Sequence, residues 1–97
     1  MKSEIRYEWT VEFIDENGDI VDSEFWDTYE QAKSHAIPDA GCTVDIGVVR
    51  DRSTDEAGLV CRSWAYLKDG KLPEHFEDAY GRQVSKVPAK FHNEVAA

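Results

Sequence analysis

Nine consecutive residues constrain this chain more than any other stretch. Ile5, Tyr7, Trp9, Val11 and Phe13 are apolar, and Arg6, Glu8, Thr10 and Glu12 between them are polar. Successive side chains of a strand leave on opposite faces, so this alternation describes a strand with one buried face. A helix would scatter the same residues around its circumference. A return strand from about Asp19 to Trp26 makes residues 5–26 a β-hairpin.

The loop decides which side chains of the hairpin meet. A two-residue loop at Asn17-Gly18 would set Phe13 against Asp22 and Val11 against Glu24, bringing charges among core residues. A three-residue loop, Glu16-Asn17-Gly18, is a type I turn closed by a left-handed glycine. It pairs Phe13 with Val21, Val11 with Ser23 and Trp9 with Phe25. Because a one-residue slip turns a whole face over, burial favours this second register. The other face then carries Glu8, Thr10 and Glu12 beside Asp22 and Glu24, with Glu12 opposite Asp22. Like charges across a strand pair repel. Such a face is either merely solvated or built to meet a basic partner.

Total charge bears on that choice. The 97 residues hold 20 acids and 11 bases, a net charge of −9. Residues 1–34 carry ten acids and three bases (−7), residues 35–60 five and two (−3), and residues 61–97 five and six (+1). An acidic pole repels nucleic acid and anionic membranes and attracts basic surfaces. The expectation is therefore no direct nucleic acid and no membrane partner. No apolar run approaches a membrane span and Met1–Arg6 has no signal-peptide core, so a cytoplasmic protein is expected. The length fits one compact domain over 1–97. Cys42 and Cys61 belong to no metal-type pair and are expected to be free, buried thiols.

Along the rest of the chain, Asp27-x-x-Glu30 and Thr28-x-x-Gln31 both fit a capping box opening a short helix that Pro38 ends. Thr43–Arg50 reads as a third strand, with Gly47 marking a bulge or a close backbone approach. Residues 51–58 read as a polar, mobile loop. Leu59–Leu67, with one charge in nine residues, reads as a central fourth strand, and Lys68–Lys71 as a tight turn. Pro73 and Pro88 each start a predicted helical turn, the first aligning Leu72, Phe76 and Tyr80 and ending at Gly81. The fold class expected is α+β: a small antiparallel sheet of about four strands, in the order β-β-α-β-β, followed by short C-terminal helices. The first helix packs on one face of the sheet, and the C-terminal aromatics cover the other.

Catalytic signatures do not appear, and the chain is expected to be no enzyme and to need no cofactor. His35, His75 and His92 form no paired motif, and the glycines build no phosphate cradle. Asp15-Glu16-Asn17-Gly18-Asp19 lacks the sixth-position glycine and twelfth-position glutamate of a calcium loop, and no metal site is expected. Glu12 and Asp22 could do acid–base work only in a pocket that desolvates one of them. Arg62, Trp64 and Tyr66 fall on one side of the fourth strand. They read as residues covered by Phe76, Tyr80 or Phe91, as a stacking platform for bases, or as part of an interface. No specific family is indicated. In small size, acidic pole and lack of catalytic signatures the chain resembles phage-encoded or accessory proteins that inhibit a host enzyme.

Two functions are therefore expected in competition. One is a non-catalytic inhibitor or adaptor that presents Glu8, Glu12, Asp22 and Glu24, with Asp15, Glu16 and Asp19, to a basic partner protein. Trp26 would be its aromatic anchor, and a nucleic-acid-handling protein is a fitting partner. The other is a structural or assembly module, a homodimer joined by a sheet edge or by the Arg62, Trp64 and Tyr66 face, with the acids serving solubility.

Overall fold

The computed structural model describes residues 3–54 and 60–97. Among the described residues the chain is α+β, with six strands and two helices. The strands are β1 (Ser3–Ile14), β2 (Ile20–Trp26), β3 (Thr43–Thr54), β4 (Val60–Tyr66), β5 (His75–Glu77) and β6 (Gln83–Lys86). The helices are α1 (Tyr29–His35) and α2 (Ala89–Ala96). One antiparallel sheet takes the order β2-β1-β3-β4-β5-β6. The alternating strand read first in the sequence is thus interior, between β2 and β3.

The odd residues of β1 build the core. Trp9, Val11 and Phe13 are buried, and beside them on the same face stand Val48 of β3 and Ala65 of β4. Helices α1 and α2 both lie over this face. Phe91 meets Trp9 edge-on at 5.8 Å and Tyr7 at 5.4 Å, while Tyr29 of α1 lies 5.0 Å from Trp9. Glu94 ties the layers together, accepting from Trp9 Nε1 at 3.1 Å and from the Tyr29 amide at 3.2 Å. Thr28 caps α1 through a complete capping box with Gln31.

The hairpin turn and the hairpin register part company. Around the turn, Gly18 takes φ +84° and the Asp15 carboxylate accepts from the amides of Asn17 and Asp19, which is the expected three-residue loop. Beyond it, Ile14 pairs with Ile20 but Phe13 pairs with Asp22, so Val21 is bulged out. The pairs are then Phe13 with Asp22, Val11 with Glu24 and Trp9 with Trp26. The expected pairs of Phe13 with Val21, Val11 with Ser23 and Trp9 with Phe25 do not form. Burial has little hold on β2: it lies at the sheet edge, and Asp22 stays exposed even on the helix side. A bulge absorbs one residue at small cost, and it brings Trp26 onto the covered face.

Other expectations change as well. The expected helical turn after Pro73 is instead β5, the turn Asp78–Arg82, and β6. Phe76 is a buried strand residue on the helix-covered face and stacks on Tyr7 at 5.8 Å. The C-terminal aromatics Phe76 and Phe91 therefore share one face with α1 rather than covering the second. β3 continues through residues 51–54, where a loop was expected, and the rest of that expected loop lies outside the described residues. Cys42 and Cys61 are free, but Cys42 is half-buried and Cys61 exposed.

Candidate interaction surface

The hairpin carries its acids on both faces and at its tip. Glu8 and Glu12 leave β1 on the face without helices, together with Phe25 and Ser23 of β2. Asp22 and Glu24 leave β2 on the helix side, opposite Phe13 and Val11. Asp15, Glu16 and Asp19 stand at the turn. The single continuous carboxylate face expected from the sequence is thus split in two, because the Val21 bulge turns Asp22 and Glu24 over. Trp26 is not a free anchor. It stacks on His35 of α1, with ring centroids 3.9 Å apart and planes 17° apart, and is half-buried.

Arg62 feels the charge of Glu8, but among the described residues none of the molecule's own cations forms an ion pair with these acids. Among the described residues the ion pairs are Arg6–Glu4, Arg62–Asp51, Arg82–Asp78 and Lys86–Glu74. None involves Glu8, Glu12, Asp15, Glu16, Asp19, Asp22 or Glu24. The local partners of the hairpin acids are backbone amides: Asp15 closes the turn through two at 2.9 Å, and Asp22 accepts from the Ser23 amide at 2.9 Å.

The face without helices is concave. Arg62 and Phe25 stand on strands three places apart in the sheet, yet the guanidinium carbon lies 6.0 Å from the ring centroid. A flat sheet would hold those strands about 14 Å apart, so the sheet coils and the two side chains arch over its middle. Beneath them Thr10 and Val49 are shut off from water, and among the described residues the Thr10 hydroxyl has no partner. Glu12 is also buried here, directly across from Asp45. Burial pushes its carboxyl above the ordinary value, helped by the Asp45 charge and opposed by the nearby Tyr66 hydroxyl. The same surroundings, burial first and then Glu12, push the Tyr66 phenol up. Glu12 has like-charge company, as expected, but its neighbour is Asp45 rather than Asp22.

Gly47 makes the Tyr66 contact possible. A Cβ at this position would come within 2.7 Å of the Ala65 carbonyl oxygen and 3.0 Å of Tyr66 Cδ1. The close approach expected at Gly47 is present. Arg62, Trp64 and Tyr66 share the concave face, and Phe76 and Phe91, expected as their cover, lie on the other side. Tyr80 is exposed. Trp64 and Tyr66 instead wall an open cleft of about 820 Å³ whose rim includes Lys68, Lys71, Glu77 and Asp78. Arg62 is held by Asp51 through two bonds at 2.7 and 3.1 Å, which keeps it from acting as a free cation.

Among the described residues no group of three His, Cys, Asp or Glu side chains could hold a metal ion. No described helix is long and apolar enough to cross a membrane. The sequence put Phe25 opposite Trp9 on the buried face and did not bring Asp45 beside Glu12, because both placements depend on registers. No family model matches the chain, and neither a curated protein nor a solved structure shows significant similarity to it.

Proposed function

We propose that this is a non-catalytic acidic interaction protein, an inhibitor or adaptor, that docks its hairpin onto a basic surface of a partner protein. The observation that carries this reading is the absence of any internal ion pair on the seven hairpin acids, among the described residues. Glu12 is buried and adds little to docking, but the field of the other six acts outward from both faces and the tip of one ribbon. Charge of this kind raises encounter rates and selects basic partners, whereas each exposed ion pair contributes only about 0–1 kcal/mol. Affinity therefore needs apolar contact too, and Ile20, Val21 and Phe25, all exposed on β2, supply it. A surface that normally holds nucleic acid has the charge such a ribbon fits.

The test is capture of partners from the native host at low and high salt, using the natural protein and two variants. One variant reverses Glu8, Asp22 and Glu24 to lysine, and the other reverses Glu30, Asp39 and Asp69. Both change net charge equally. The expected result is loss of capture only in the hairpin variant, with steep weakening by salt. Equal capture by all three would show that the hairpin acids are merely solvated.

The second reading, an assembly module, is favoured by the uncovered Phe25 and Tyr66 on the concave face. It predicts a dimer in light scattering that persists on dilution and that Tyr66→Lys dissolves. A monomer at all concentrations removes it.

A further inference from the structure

The outer edge of β2 offers more than charge. We propose that it accepts an added β-strand from the partner, an extended segment in which basic and apolar residues alternate. The proposal rests on the reading of the hairpin as the docking element and gives that docking its geometry.

Among the described residues β2 is paired on one side only, with β1. Its seven residues span about 23 Å of open backbone. Edges of this length are usually blunted with charged side chains, proline, a bulge or a covering loop, because their unpaired amides and carbonyls template another strand; on β2 these devices are the Val21 bulge and the acids Asp22 and Glu24. β2 contains neither lysine nor proline. Its Ile20, Val21 and Phe25 are 54%, 57% and 45% exposed. The Ser23 amide is met only by the neighbouring Asp22 carboxylate, at 2.9 Å, an exposed bond that an incoming carbonyl can replace. The Val21 bulge limits how far toward the turn an added strand can pair, which confines the site to the Asp22–Trp26 end.

Chemistry selects the occupant. Residues directly opposite one another on adjacent strands share a face. An added strand therefore sets two of its side chains, two positions apart, beside Asp22 and Glu24 on the helix side. Lysine or arginine there forms cross-strand ion pairs. The intervening side chains fall beside Ser23 and Phe25 on the concave side, where apolar residues extend the exposed Phe25 surface. A second copy of this chain fits poorly. Antiparallel β2–β2 pairing centred on Ser23 would set Asp22 against Glu24 twice, between two molecules of charge −9. Like charges directly opposite are destabilising. The edge is thus selective: acids that disfavour self-pairing favour a basic strand, so the same residues repel one occupant and recruit another.

The test uses synthetic peptides and the intact protein. The probe is a capped eight-residue peptide of alternating valine and lysine, labelled for fluorescence anisotropy. A block peptide of the same composition has all its lysines in one half. A third peptide alternates but is N-methylated on the amides of one edge. At low salt the alternating peptide is expected to bind about tenfold tighter than either control, a difference that a few main-chain bonds and two cross-strand pairs can supply. Amide exchange at Ser23 and Phe25 should slow on binding, while β6 is unchanged. Ser23→Pro, which deletes an edge amide without touching the β1 ladder, should reduce binding to the level of the block peptide. The methylated peptide carries the test even if that variant fails to fold.

Equal binding of all three peptides, still abolished by Asp22→Lys with Glu24→Lys, would overturn strand addition and leave charge-driven docking standing. No binding by any of them at low salt would overturn both. A stable dimer blocking the edge, seen by sedimentation, would assign it to a second copy and overturn the proposal.

Discussion

Adding one methyl group at Gly47 should loosen the concave face and unsettle the fold. In Gly47→Ala the new carbon would stand 2.7 Å from the Ala65 carbonyl oxygen, 3.0 Å from Tyr66 Cδ1 and 3.2 Å from Tyr66 Cα. Ordinary carbon–oxygen contacts lie at about 3.3–3.6 Å, so β4 must retreat by about 0.6 Å from a strand it pairs with along seven positions. Two of the three clashing atoms are backbone and cannot rotate away. Overpacking of this kind costs about 1–3 kcal/mol. Replacing glycine returns about 0.4–1 kcal/mol through the unfolded chain. The net loss centres on about 1.3 kcal/mol, which lowers the melting temperature of a domain this size by about 5–10 °C. Calorimetry reads the melt, and an ultraviolet phenolate titration reads Tyr66, whose hydroxyl should move back toward its ordinary value of 10.0 as the ring lifts from Glu12. A variant as stable as the parent, with an unmoved phenol titration, would refute the close packing of β3, β4 and Tyr66.

Three further outcomes follow from the packing. Burial raises the Glu12 carboxyl above 4.5, so the folded state holds that proton more tightly than the unfolded chain does. The resulting penalty is absent below the unfolded value and complete above the folded one. Glu12→Gln should therefore raise the urea midpoint at pH 7 and leave it unchanged below about pH 4. Phe91→Ala removes a ring packed on Trp9 and Tyr7 and should cost about 3–5 kcal/mol in chemical denaturation, a large share of a typical 5–15 kcal/mol total. Thr28→Ala should lose about 1 kcal/mol by thermal melting while Thr28→Ser retains it, since only a side-chain oxygen accepting from the Gln31 amide is required.

What the sequence made legible was local. The alternation in residues 5–13, the capping box at Thr28 and Gln31, the turn at Gly18 and the helix after Pro88 each depend on neighbours in the chain, and each is present. What it hid was set by long-range geometry. The hairpin register turns on the Val21 bulge, which no residue type announces, and burial cannot select the register of an edge strand that buries little. The β5–β6 turn did have a signal. Asp78 accepts from the Tyr80 and Arg82 amides, with Gly81 at φ +78°, just as Asp15 does from Asn17 and Asp19 around Gly18. The shared Asp-x-x-Gly spacing marked a second hairpin where Pro73 and the apolar residues at intervals of four suggested a helix. For the surface, the sequence placed Arg62, Trp64 and Tyr66 together correctly. It put Asp22 and Glu24 on one face with Glu8 and Glu12, which the structure overturns, because one bulged residue decides which side of the sheet they take.

The proposed docking depends on negative potential gathered at the hairpin rather than spread over the molecule. Backbone amide shifts followed by NMR during titration with a short oligoarginine peptide at low salt measure this directly. The predicted result is perturbation concentrated in residues 8–24, including the turn, and erased by salt. Shifts centred on the β5–β6 end, or distributed evenly around the surface, would contradict it.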